Sequence, residues 1–138
     1  MAVIVAFGDS NTWGYDPASG TRFPPATRWT GVMAAALGPG FQVVEEGLNG
    51  RTTVFDDLVE PGRRGLDYLA PCLLSHAPLD LVIIALGCND MKARFNVSAA
   101  EIALGAERLV ALAQASPSGP GGRPPRVLLV APPPVAKL

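Results

Sequence analysis

Three short stretches hold residues whose types could do chemistry together: Gly8-Asp9-Ser10-Asn11, Glu46-Gly47-Leu48-Asn49-Gly50 and Gly87-Cys88-Asn89-Asp90. Ser10 offers a hydroxyl nucleophile. Gly50 offers a backbone N–H that no side chain shields, and Asn89 offers a carboxamide donor. Taken alone, each stretch also reads as an ordinary turn, because Asp, Ser, Asn and Gly are the residues that turns and helix caps favour. The first does not match a G-x-S-x-G nucleophile elbow, since position 12 is Thr. Brought to one place, the three would form a nucleophile beside an oxyanion hole, the arrangement that acyl transfer requires. Whether they meet depends on the elements that carry them.

Four apolar runs read as strands: Val3 to Phe7, Phe41 to Glu45, Leu79 to Leu86 and Arg126 to Ala131. Leu81 to Leu86 is apolar without alternation, as in a strand covered on both faces, which favours a parallel sheet. Helical patterns lie between the runs. One spans Thr27 to Leu37, with Thr27 as cap and Gly38-Pro39 as stop. A second lies around Leu66 to Ser75, with Pro71 kinking it or marking a restart. The third starts from a capping box, Ser98 with Glu101, ahead of Ile102, Leu109, Val110 and Leu112. The alternation βαβαβαβ argues for a doubly wound α/β sheet with right-handed crossovers. In such sheets ligands bind beyond the carboxyl ends of the strands. With the runs in spatial order 2-1-3, Ser10 stands on the middle strand and Gly50 and Asn89 on its neighbours.

The 138 residues suit one domain, and 49% hydrophobic against 17% charged residues marks a globular chain. Eleven basic and twelve acidic side chains give a net charge of −1, so charge supplies no reason to expect nucleic acid or an anionic membrane as partner. Cys72 and Cys88 show no metal or redox spacing, and reduced thiols in a cytosolic protein are the expectation. No signal segment or membrane span is legible. Ser116 to Pro125 is a surface loop rich in Gly and Pro.

The blocks FGDSNTWGYDP, RWTGVMAAALG, EEGLNGRTT, LDLVIIALGCND and LLVAPPP resemble those of the SGNH (GDSL-type) hydrolase superfamily, most closely its arylesterase and acyltransferase branch. The likeness runs over essentially the whole chain. It implies a flavodoxin-like three-layer sandwich, here in strand order 2-1-3-4, and action on small acyl esters through an acyl-Ser10 intermediate. It also implies that Ser10 supplies the nucleophile and one oxyanion N–H, with Gly50 and Asn89 completing the hole. Asp9, Asn11, Asn49 and Cys88 fall on the substrate side of the same blocks. Tyr15 is expected to border the pocket, and Lys92 is weighed between its mouth and solvent. No cofactor and no metal are implied. The acyltransferase branch forms larger assemblies, so a homo-oligomer is admitted.

Two departures qualify the resemblance. Cys88 stands where related arylesterases often carry Thr. The family's D-x-x-H block, which holds the catalytic base and its orienting acid, has no counterpart in the sequence. Without a base a serine hydroxyl is a weak nucleophile at neutral pH. His76, the only histidine, precedes the third run and is expected at the amino edge of the sheet, about 20 Å from Ser10, as a capping or solvated residue. The reading is therefore a single domain, 1–138, truncated at its C-terminus, lacking a last strand and helices and leaving apolar surface around Val127 to Val130 uncovered. The rival is a non-catalytic binding module that kept the pocket and lost the base. A metal-dependent phosphoesterase using Asp9, Asp56, Asp57 and Asp90 ranks third. Trp29, in a helical pattern, is assigned to core packing.

Overall fold

A computed structural model describes residues 1–134; the last four residues of the sequence lie outside it. Four parallel strands form the central sheet: β1 (Ala2–Gly8), β4 (Phe41–Gly47), β5 (Leu81–Ala85) and β6 (Arg126–Val130), in spatial order β4-β1-β5-β6. Numbered among themselves, these strands run 2-1-3-4. The expected parallel α/β sheet is therefore present. A feature absent from the sequence reading is a small antiparallel hairpin, β2 (Tyr15–Asp16) with β3 (Thr21–Arg22). Strands of two residues carry no periodicity to detect. Asp16 holds the intervening loop by accepting from the Ala18 N–H.

Register and alternation decide what each strand shows to its neighbours. β1 pairs with β4 from Ala2 opposite Phe41 to Gly8 opposite Gly47, and with β5 from Ile4 opposite Leu81 to Gly8 opposite Ala85. On one face Val5, Phe7, Val82 and Ile84 pack against Leu69, Cys72 and Leu73 of α3 (Gly65–Ser75) and Leu109 and Ala113 of α4 (Ala99–Gln114). Each large side chain fully buried there contributes roughly 1.5–3 kcal/mol of transfer free energy. Alternate residues Ile4, Ala6 and Ile83 are buried on the other face. On that side α2 (Trp29–Leu37) packs along β4. The edge strand shows the division: Glu45 takes Thr30 and Arg28 of the α2 side, whereas its neighbour Glu46 takes Tyr68 of α3 and the following His76.

The helices differ from the sequence reading at their starts. Thr27 does not cap α2: its N–H closes a turn onto the Pro24 carbonyl, and the helix begins at Trp29 after Arg28, with no side-chain cap. α3 runs continuously through Pro71. The capping box of α4 is present, with Ser98 accepting from Glu101 N–H and Glu101 accepting from Ser98 N–H. β6 is an edge strand of the described sheet, and Leu128, Leu129 and Val130 on it are 41–48% exposed. Among the described residues no helix is long and apolar enough to cross a membrane.

Candidate active site

β1 ends at Gly8, and the chain turns at once into a one-turn helix, α1 (Ser10–Trp13). The turn needs glycine at position 8, because a Cβ there would lie 2.1 Å from Thr12 Oγ1 and 3.0 Å from the Ala85 carbonyl oxygen. Asp9 caps α1 by accepting from the Asn11 N–H at 3.0 Å, and its main-chain carbonyl takes the Thr12 and Trp13 N–H groups. Its carboxyl is almost fully buried, and burial pushes its pKa above the ordinary value. Ser10 is the first residue of α1 and is only partly buried. A first-turn N–H has no intrahelical acceptor, and none among the described residues takes that of Ser10.

The segment after β4 lies beside it. Leu48 N–H donates to the Gly8 carbonyl at 3.1 Å, and the Arg51 guanidinium donates to the carbonyls of Gly8, at 3.0 Å, and Glu46. Arg51 also lies over the Phe7 ring, 4.2 Å from its centroid. This buried cation ties the ends of β1 and β4 together, and its desolvation lowers its pKa. Gly50 sits at φ +82°, where a Cβ would meet Glu60 Oε2 at 2.6 Å. Its N–H also lacks an acceptor among the described residues. Asn49 Oδ1 is buried without a hydrogen-bond partner there.

The third segment follows β5 as a 3-10 turn, Asn89–Met91. Asn89 Nδ2 donates to the Arg51 carbonyl at 3.1 Å. Next to it, the fully buried Asp90 accepts from the Thr53 N–H at 3.1 Å and from the Thr53 hydroxyl. These two rungs lock residues 89–90 onto residues 51–53. Asp90 has no cationic partner in these bonds, and burial raises its pKa. From the first segment, Asn11 Nδ2 donates to Cys88 Sγ at 3.6 Å. The three segments thus sit together at the carboxyl edges of three adjacent strands.

A cavity of about 250 Å³ opens beside them, lined by Asp9, Asn11, Thr12, Trp29, Leu86, Cys88 and Pro132 among others. Trp29 belongs to this wall rather than to the core: it is half-buried, and its Nε1–H donates to Thr12 Oγ1 at 3.3 Å. Tyr15 lies in the hairpin, 42% exposed, and is not among the lining residues. Lys92 pairs with Glu60 at 3.9 Å. His76 is the C-cap of α3, as the capping reading expected, and its Nε2 lies 2.7 Å from Glu46 Oε1 on β4. Among the described residues no hydrogen bond joins His76 to Ser10. Three of the four aspartates weighed as metal ligands have other partners: Asp57 forms a two-bond pair with Arg94, while Asp9 and Asp90 bind main-chain N–H groups. Arg51, Trp29 and Thr53 were not legible as site residues. The one available signal was that Arg51 directly follows Gly50 and Thr53 lies three residues after it.

A sheet with three polar segments at its carboxyl edge, one of them a serine at a strand-to-helix turn, defines a class of hydrolase-like α/β proteins. A profile of the GDSL-like lipase/acylhydrolase family matches residues 6–138, and the chain belongs to that family. The native aryl esterase of M. smegmatis is 49% identical over 99% of this chain and 66% of that chain, with TM-score 0.93. Its inhibitor-bound form is 48% identical over the same shares, with TM-score 0.94. A carbohydrate acetylesterase from Sinorhizobium meliloti is 45% identical, again over 99% and 66%, with TM-score 0.93. The chain therefore spans just under two thirds of the length of these relatives. A comparison with curated proteins found no match.

Proposed function

We propose that the protein is a serine esterase of small acyl esters, able to pass its acyl group to water or to an alcohol. The observation that carries this reading is the convergence of Ser10, Gly50 and the Asn89 amide at one sheet edge, with two N–H groups left without acceptors. In this proposal Ser10 Oγ attacks the ester carbonyl. The developing oxyanion takes hydrogen bonds from the Ser10 and Gly50 N–H groups and from the second hydrogen of Asn89 Nδ2. The tetrahedral intermediate then expels the alcohol and leaves an acyl-Ser10, which water or an acceptor alcohol resolves. Asp9, Asn11, Asn49 and Cys88 border the substrate, and the cavity beside Trp29 takes the acyl or alcohol group. Tyr15 and Lys92 lie outside the cavity wall and are kept only as contacts for a larger substrate.

Proton transfer needs a base. His76 is held by Glu46, so in this proposal the base and its orienting acid come from outside residues 1–138, and the 138 residues alone turn over aryl esters very slowly. The test is hydrolysis of an aryl acetate by the 138-residue chain and by a longer product of the same gene, each with and without Ser10→Ala. The expected result is turnover by the longer protein only, abolished by the substitution. Equal rates for the two lengths would place the base within residues 1–138. No Ser10-dependent turnover by either would favour a binding module.

A further inference from the structure

Away from Ser10, Glu46 on β4 lies against Cys72 of α3 and His76 at its C-cap, and their ligating atoms are all within 4.8 Å of one another. Local geometry gathers them. Strand alternation turns Glu46 toward α3, and Cys72 and His76, four apart, lie one above the other on the same helix face. Cys72 is fully buried, while the Glu46 and His76 side chains remain 20% and 29% exposed. The cluster is thus closed on the protein side and open to solvent on the other. Nothing in the proposed ester chemistry uses it, and the 2.7 Å contact between His76 and Glu46 does not require a thiol beside it.

The geometry points to a zinc site with three protein ligands and one solvent position. Tetrahedral Zn²⁺ holds sulfur at about 2.3 Å and nitrogen or oxygen at about 2.0–2.2 Å, which sets ligand atoms about 3.3–3.8 Å apart. Glu46 and His76 would part by about 1 Å or less, and no pair need close by more than about 1.5 Å. Thiolate, imidazole and carboxylate together suit zinc, whereas Mg²⁺ and Ca²⁺ take oxygen ligands. As the Zn–S bond forms, the thiol proton leaves to solvent, and His76 binds as the neutral imidazole through Nε2. The thiolate and carboxylate cancel the charge of the ion. The buried Arg51 guanidinium adds a like charge nearby, so the site is expected to bind more weakly than tight structural sites, with Kd on the order of micromolar. The ion would fasten the C-terminal end of α3 to the edge strand β4.

The test titrates reduced, metal-free protein with Co²⁺ as a spectroscopic stand-in, then displaces it with Zn²⁺ against a chromophoric chelator. One equivalent should bind, with the visible bands of a tetrahedral site and a thiolate-to-cobalt charge-transfer band. Zn²⁺ at about a hundred times Kd should raise Tm by roughly 5–15 °C. Cys72→Ser should remove the charge-transfer band, His76→Ala should weaken binding at least tenfold, and Cys88→Ser should leave both unchanged. His76→Ala, on a half-exposed helix end, decides the matter alone if Cys72→Ser fails to fold. Absence of binding at about 100 µM metal, a saturating level for a micromolar site, overturns the proposal. So does binding that survives His76→Ala undiminished or vanishes in Cys88→Ser. None of these readouts depends on ester turnover, so the zinc site and the esterase reading stand or fall separately.

Discussion

Replacing Asn89 with Ala separates the catalytic part of the site from its structural part. The side chain has two N–H bonds at Nδ2, and one donates to the Arg51 carbonyl at 3.1 Å. Alanine leaves that carbonyl, in a residue only 4% exposed, without its donor. The cost in stability is about 1–3 kcal/mol, and for a chain of this length that lowers Tm by roughly 3–12 °C. In the proposed chemistry the second N–H meets the oxyanion, and losing one such donor costs about 10²–10³ in kcat, or about 2.7–4 kcal/mol. The two effects are read separately, by urea denaturation and by aryl-ester hydrolysis at 25 °C in the Ser10-dependent protein. Asn89→Asp should be slower still, because it turns an acceptor and a negative charge toward the developing oxyanion. A loss in kcat below about tenfold for Asn89→Ala, with folding intact, would refute the assignment. Asn89 would then be only the peg that holds residues 51–53.

Three further outcomes follow from the same geometry. Gly50→Ala forces a side chain into the left-handed region and toward Glu60, which should destabilise the fold by about 1–2 kcal/mol in urea titrations and lower ester turnover by more than that loss explains. Asp57 is held below the ordinary carboxyl range chiefly by its hydrogen bonds to Arg94, so its contribution is present above the unfolded value of about 4 and is lost as pH falls below it. The difference in urea midpoint between the protein and Asp57→Asn should be widest above about pH 5 and shrink below about pH 4, and a gap constant with pH would refute the pairing. Cys72 is fully buried and its thiol is pushed up to about 12, first by burial, whereas Cys88 lines the cavity. Iodoacetamide should therefore label Cys88 alone in the native metal-free protein and both thiols in urea, as read by peptide mapping.

Much of the architecture was legible because it rests on local rules. The unbroken apolar run at Leu81 to Leu86 marked a buried parallel strand, Ser98 with Glu101 marked the start of α4, and the spacing of runs and helices implied the sheet. Ser10, Gly50 and Asn89 could be placed at one edge because each follows a strand directly, and parallel strands end on the same side. What the chain could not declare were the contacts between segments far apart in sequence. Arg51 reaching Gly8, Asn89 reaching Arg51 and Asp90 reaching Thr53 each join residues 37–43 positions apart. Trp29 read as core because helical spacing gives a face and not a neighbour, and only packing beside Thr12 turned it to the cavity wall. His76 read as a remote cap because its position in sequence fixed the end of a helix, while the side chain of Glu46, reaching across from the neighbouring strand, decided what that end would touch.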